Sequence, residues 1–485
     1  MEKISALYND NLEKLKNDFK DCSDFNLKEI YFSERRALVC IFDGLVSSLA
    51  LSQLVTTPLL TYKGECDDAV KCAKMQVLRG VELNECEDFE KAYMLLMSGF
   101  ALVIIDGCNK ALAVGIQGFE KRGITEPSNE SNVKGAKEAF TECLNDSKAM
   151  LRRRLKTPQL KLKQFELGKS APTPVVIAYI NDRADFALVT EVEKRLRLSH
   201  LDTLADYGEL IPFLDSDTPS FFSCTGTTER PDVLASKLLE GRVAVMIDGS
   251  PFALFVPSLF SDNFQSPDDY DEPPFYAGFI RLIKYFCFVL AVFLPAFYVA
   301  IGTFHQELMP TNLLFTISAE EINTPFSLTS EAILLLLFYE IMREAGLRLP
   351  KTIGHAVSII GGIIIGETSV EAGLIGAPML VVIAMTAIAS YVVYPLYESM
   401  CVLRFIFIIV GSISGLYGIM LFAGALFVNI SALNSYGVSL SFPISPLDKK
   451  TQGDIFFRES WKSLSRHRVR INELRGAATD AGTEK

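Results

Sequence analysis

Two aspartates, a stripe of small residues and a run of arginines are where this sequence comes nearest to chemistry. Asp106 and Asp248 each end an apolar run and each precede a glycine, in GFALVIIDG (99–107) and GRVAVMIDG (241–249). A carboxylate serves as a general acid or base only with a partner in hydrogen-bonding reach. No His, Lys or nucleophile stands at useful spacing from either residue. Asp-Gly between two β-rich runs is a hairpin signal instead, so both are read as turns. Gly354, Ser358, Gly362 and Gly366 recur at every fourth position and fall on one slowly drifting helix stripe. Such a stripe lets another helix approach closely. It suits a packing face, and it also suits a narrow, flexible pore or gate. Arg152-Arg153-Arg154 has the charge to touch phosphate or lipid, but cations in the last turn of a helix are the plainer reading.

Other chemistry is not signalled. The chain carries no Walker-type loop, GxSxG, HExxH or Rossmann fingerprint. Its ten cysteines are scattered without a CxxC, and its four histidines are dispersed. Cysteine used as a small apolar residue fits a reducing compartment, and neither a metal site nor a disulfide framework is expected. No catalytic residue, cofactor or nucleic-acid partner is expected, and the chain is not read as an enzyme.

The elements that would position these residues divide the chain. The net charge is −11 and the mean hydropathy +0.25, but that mean joins unlike parts. Residues 1–279 read as an acidic soluble sequence. Strand-like runs ending in acidic turns recur at 35–44, 99–107, 174–182 and 241–249. They alternate with helical segments at Asp67–Leu78, Ser131–Leu155 and Phe186–Leu198. This predicts an α/β region in two similar lobes, 1–150 and 151–279, linked through Arg152–Lys163.

Residues 280–430 read as a membrane domain. Tyr285–Phe304, Leu374–Tyr394 and Phe405–Val428 are each apolar over a length that spans about 30 Å as helix. The loop His305–Ser330 carries glutamates without Lys or Arg, which places it outside. Glu331–Met342 is short and contains Glu340, so it should face protein or water rather than lipid. The tail 431–485 is basic and belongs inside. The first residues are charged and amphipathic, so the soluble half is expected to stay cytoplasmic with both termini. Both ends inside require an even number of crossings. Four result if Ile353–Gly373 enters and returns, with five or six left open. The predicted fold class is thus an α/β two-lobed cytoplasmic domain plus an α-helical polytopic membrane domain.

Several longer segments are similar to the A subunit of GerA-type spore germination receptors. They include GITEPSNESNVKGAKEAF (123–140), LRRRLKTPQL (151–160), ERPDVLASKLLEGRVAVMIDGSPFALFVP (229–257), FQSPDDY (264–270), FHQELMPTNLL (304–314) and EIMREAGLRLPKTIGHAVSIIGGIIIGETSVEAGL (340–374). The resemblance covers nearly everything after about residue 90. The chain departs from the family at Val133-Lys134-Gly135-Ala136-Lys137, where VRGPR is usual, and at Ala319-Glu320-Glu321. The resemblance implies a subunit in the inner membrane of a bacterial endospore. Its partners would be a transporter-like B subunit, a lipoprotein C subunit, membrane lipid and other copies of itself, in a ring of five. It also implies a nutrient-gated channel releasing monovalent cations. Combined with the 353–373 segment, it makes Gly354, Ser358, Gly361, Gly362, Gly366, Glu367 and Glu371 the expected pore lining, with the two glutamates as carboxylate rings favouring cations. A non-conducting scaffold, and a related spore-membrane paralogue that amplifies germination, remain the alternatives.

Overall fold

The computed structural model describes residues 2–64, 66, 68–78, 80–118, 127, 129, 130, 132, 134–350, 361, 362, 364–445 and 452–464. The first lobe runs α1 (Tyr8–Asp18), β1 (Phe25–Phe32), β2 (Arg35–Phe42), β3 (Glu82–Cys86), α2 (Phe89–Leu96), β4 (Phe100–Ile105) and β5 (Ala111–Gly115). The second runs α3 (Leu144–Arg154), β6 (Leu160–Leu167), β7 (Thr173–Ile180), α4 (Phe186–Arg197), β8 (Gly226–Thr228), α5 (Pro231–Leu239), β9 (Val243–Ile247) and β10 (Ala253–Val256). Each lobe has one five-stranded sheet, paired antiparallel throughout. The order is β1-β2-β4-β5-β3 in the first and β6-β7-β9-β10-β8 in the second, the same topology twice.

The Asp-Gly turns show why the repeat holds. Gly107 and Gly249 sit at φ +82° and +91° between β4 and β5 and between β9 and β10, a conformation that favours glycine. In the first lobe Asp106 accepts from the backbone N–H of Tyr8 (3.3 Å), the first residue of α1. In the second, Asp248 accepts from that of Leu144 (3.0 Å), the first residue of α3. Each aspartate therefore closes a hairpin and satisfies a helix N-terminus that would otherwise leave donors unpaired.

This equivalence corrects two expectations. α3 opens the second lobe, so the division falls before Leu144 rather than at residue 150. The helix is also shorter than Ser131–Leu155. Residues of β7 alternate between two cores. Val176 and Ala178 pack toward α3 and α5, and Val175 and Ile177 toward α4. The second sheet is thus covered by helices on both faces.

The lobes are fastened by a buried charge. The Arg152 side chain is fully buried and makes a two-pronged ion pair with Asp24, Nε and Nη2 each 3.0 Å from a carboxylate oxygen. Its Nη1 donates to the carbonyl of Leu160 (3.0 Å), and its guanidinium lies 4.6 Å from the Phe42 ring centroid. Backbone bonds from Ser23 to Leu162 and from Leu162 to Asp21 run beside it. The first arginine of the basic run is therefore an internal joint. The other two, Arg153 and Arg154, pair with Glu138. Cys66 and Cys72 are joined in a disulfide six residues apart, against the expectation that the cysteines stay unpaired.

The helical region follows: α6 (Pro274–Phe304), α7 (Thr311–Asn323), α8 (Leu328–Arg348), α9 (Ala377–Val392) and α10 (Tyr397–Ala432). α6 and α10 are long and apolar enough to cross a membrane, while α7 and α8 form a pair bent by 76°. α10 is not one rod. Gly415 breaks it at φ +57°, ψ −151°. The Phe407 and Phe422 rings then pack face to edge at 4.9 Å, although fifteen residues of straight helix would separate them by about 22 Å. Ser399 donates to the carbonyl of Phe221, and Asn429 donates to that of Pro219 (3.1 Å). Both ends of α10 thus meet one loop of the second lobe. α10 is a hairpin of two arms, 397–414 and 416–432, each about 25 Å long. Its tip lies at the far end of the layer, where a Cβ on Gly415 would meet Phe304, the last residue of α6, and His305 just after it.

This geometry fixes direction for the other helices. α8 begins at the far end, with Leu328 against Gly302, and reaches the end near the lobes, where Glu340 meets Tyr397. α9 runs the same way, from Gly376 beside Glu331 to Tyr391 beside Tyr397. Gly373 lies against the Asn323 carbonyl at the far end. The stretch 353–373 was expected to enter and return, with five or six crossings left open; its residues 353–360 and 363 lie outside the described residues. Among the described residues, α6, α8, α9 and the two arms of α10 each run between the two ends of the layer.

Candidate functional site

The helical region holds two clusters of ionisable side chains, one near each end. α8 supplies residues to both because of its spacing. Leu328, Glu331, Ala332, Leu335, Leu336 and Tyr339 fall on its buried face, three or four apart. Ser327 caps its start, accepting from the N–H of Ser330.

At the far end Glu331 is 2% exposed and accepts from the backbone N–H of Gly376, where α9 begins. A carboxylate at a helix N-terminus is favoured by the helix dipole and by unpaired N–H groups. Glu320 and Glu321 on α7 and Tyr298 on α6 close around it. They enclose a cavity of about 10 Å³, room for one water-sized sphere.

At the near end Glu340 gathers three partners. Tyr397 donates to it at 2.9 Å, Arg343 Nε lies 3.1 Å away, and Arg404 Nη1 is 3.7 Å away. The Arg343 guanidinium covers the Tyr397 ring at 3.9 Å from its centroid. Arg404 is fully buried in the first arm of α10, and its Nε donates to the carbonyl of Ala291 on α6 (3.1 Å). One arginine thereby ties together α6, α8 and α10. Such a charge deep among apolar helices is costly unless paired. Glu340 was expected to face protein or water, and it does. Arg404 was not singled out. Its signal was a lone cation directly before the apolar run at 405.

The expected pore residues are placed unevenly. Gly354 and Ser358 lie outside the described residues. Gly361 packs on α8, where a Cβ would strike the Met342 sulfur. Among the described residues, Gly362 has nothing within 4 Å of a Cβ position, and Gly366 has only Leu380 at 4.0 Å. Glu367 and Glu371 are exposed. Of the described residues, Gly361 is thus packed on α8, Gly366 is half-buried, and Gly362 and the two glutamates are exposed. Among the described residues, no three His, Cys, Asp or Glu side chains converge to hold a metal.

In the second lobe a polar cluster gathers around Asn129 and Glu130. Glu130 accepts from the Thr228 hydroxyl (2.6 Å), and Glu229 accepts from the N–H groups of Asn129 and Glu130. Burial pushes the Glu130 carboxyl up to about 6, against the lowering effect of its Thr228 hydrogen bond. Arg230 binds the Glu130 and Ala136 carbonyls and pairs with Asp232.

Residues 13–469 match the sequence profile of the Bacillus/Clostridium GerA spore germination proteins. The chain is 36% identical to an uncharacterized membrane protein, YfkQ, of Bacillus subtilis (strain 168), over 96% of this chain and 91% of that protein. It is 35% identical to spore germination protein KA of the same organism, over 94% and 85%. To spore germination protein A1, also of that organism, it is 35% identical over 82% and 83%. Among solved structures, the N-terminal domain of the A subunit of the Bacillus megaterium spore germinant receptor GerK3 aligns with 53% of this chain and 97% of its own. The identity is 27% and the TM-score 0.42.

Proposed function

The chain belongs to the GerA spore germination family, as an A-type subunit, and from that premise we propose that it forms a nutrient-gated cation channel. Identical copies assemble as a ring, five by the family's implied arrangement, with the 361–371 segment of each at the axis. The observation that carries this reading is the open face of that segment. Among the described residues, Gly362 meets nothing and Gly366 only Leu380, and Glu367 and Glu371 are exposed beside them. A glycine face packed in a monomer would need no second copy. An open one next to acidic residues supports a narrow path ringed by carboxylates, which favours cations over anions. Gly354 and Ser358 extend the same stripe.

The remaining parts fit this role. Ile364 and its neighbours are apolar enough to serve as a gate. The lobes contact both ends of α10, a route by which a signal on the soluble side reaches the helices. A transporter-like B subunit and a lipoprotein C subunit complete the receptor. The spore inner membrane holds the chain, with both termini on the cytoplasmic side. Reconstituting the purified oligomer in liposomes tests the function. Monovalent-cation flux is the expected result; an assembled oligomer that passes no ions would identify a scaffold instead.

A further inference from the structure

Arg281 lies about two turns into α6 and is fully buried, a position that apolar patterning does not explain. Its Nε donates to Asp269 Oδ2 at 2.8 Å. Its Nη1 donates to Asp454, to the carbonyl at 2.6 Å and to Oδ1 at 2.7 Å. Asp269 belongs to the end of the second lobe, whereas Asp454 belongs to the C-terminal tail. The same two pieces meet again nearby. Arg458, itself buried, donates to the carbonyls of Asp269 (2.9 Å) and Glu272 (2.6 Å). Gln265 donates to the Asp454 carbonyl, and Tyr270 to the Asp454 carboxylate (2.8 Å). Trp461 Nε1 donates to the carbonyl of Tyr270 (3.1 Å). The tail also lies directly on α6. A Cβ on Gly278 would sit 3.0 Å from Phe457 Cδ1, and the Phe456 and Tyr285 rings are 5.0 Å apart.

We propose that residues 454–461 form a strap that binds the end of the second lobe, 265–272, to the first turns of α6, so that the two move as one body. The chemistry argues for a strap over a passive tail. Asp269 alone leaves the buried Arg281 guanidinium with one carboxylate, and Asp454 supplies the second. Asp454 thereby matches Nη1 with two acceptors and Asp269 matches Nε, while Nη2 is left without a partner among the described residues. A buried arginine that lost Asp454 as well would be far costlier. Arg458 then uses backbone carbonyls of the lobe's last turn, groups that no neighbouring strand occupies. Lys134 reinforces the same turn from the other side. Its Nζ is 2.7 Å from Glu272, and its N–H donates to Asp268. The strap concerns mechanical coupling and holds whether or not the chain conducts ions.

Hydrogen–deuterium exchange on the full chain in lipid nanodiscs tests it. Arg458→Ala with Trp461→Ala should speed exchange at 265–272 and at 276–284 by about tenfold or more, the scale of one lost charge-assisted hydrogen bond. β7 and β9 should keep their protection, which distinguishes release from unfolding. Faster exchange confined to 452–464 would overturn the strap. A cross-link provides the converse. An ideal Cβ on Gly278 lies 3.8 Å from the Phe457 Cβ, inside the range for a disulfide. Gly278→Cys with Phe457→Cys should therefore oxidise readily, and in the Arg458→Ala background the bond should restore protection at 265–272. A cross-link that fails to form, or forms without restoring protection, would contradict the proposal.

Discussion

Arg152 shows how one side chain can change meaning between sequence and structure. In the sequence it is the first of three arginines, and the cationic end of a helix accounts for all three. In the structure two of them pair near the surface with Glu138, while the first is sealed between the lobes against Asp24. Removing one partner of such a pair strands a buried charge, at a cost of about 3–5 kcal/mol. Arg152→Met should therefore destabilise the chain by that amount, and Arg152→Met with Asp24→Leu should recover most of it; denaturant midpoints of the purified protein decide. Nothing in the local sequence announces this pairing, because Asp24 and Arg152 are 128 residues apart. Glu130 carries a prediction about pH. Its carboxyl is held up to about 6 by burial, above its ordinary value of 4.5. The folded state thus binds this proton more tightly than the unfolded chain. Its contribution is fully present below about pH 4.5 and is lost as pH rises through about 6, a change of roughly 2 kcal/mol. Glu130→Gln should flatten that part of the stability profile. An unchanged slope between pH 4.5 and 6.5 would show that Glu130 is not the group responsible.

Elements were legible where their signal was local. The Asp-Gly hairpins, the helix Phe186–Leu198 and the apolar helix containing Tyr285–Phe304 all lie where pattern and turn chemistry place them. What pattern could not supply was how the apolar stretches fold against each other. Phe405–Val428 reads as one span because glycine and serine at 411–415 are common inside membrane helices. The break at Gly415 depends on a positive φ that tertiary packing imposes. The hairpin is testable by distance. Spin labels at Ser399→Cys and Asn429→Cys should lie close together, far nearer than the roughly 45 Å that thirty residues of straight helix would impose. Gly415→Ala should cost about 1–3 kcal/mol, the range for a residue forced into glycine-only backbone geometry. A pair distance near the straight-helix value would return α10 to a single span.

At the scale of the whole molecule, the lobes, the strap and both ends of α10 lie at one end of the helix layer, and α7 and the tip of α10 lie at the other. A cysteine at Asn323 should accordingly react with an impermeant reagent from outside intact membranes, and one at Ser463 should not; the reverse pattern would invert the topology. The two-lobed plan was legible because its repeat is written in GFALVIIDG and GRVAVMIDG. The proposed pore rests on a stripe of small residues with two glutamates behind it, and an axis between copies would leave no contact within one chain to mark it. That central claim is tested most directly by the reversal potential of the reconstituted oligomer under a salt gradient, with Glu367→Lys and Glu371→Lys together compared with the unaltered chain. Loss of cation preference at normal assembly is the result predicted. Unchanged conductance and selectivity would remove both carboxylates from the permeation path and contradict the proposed pore.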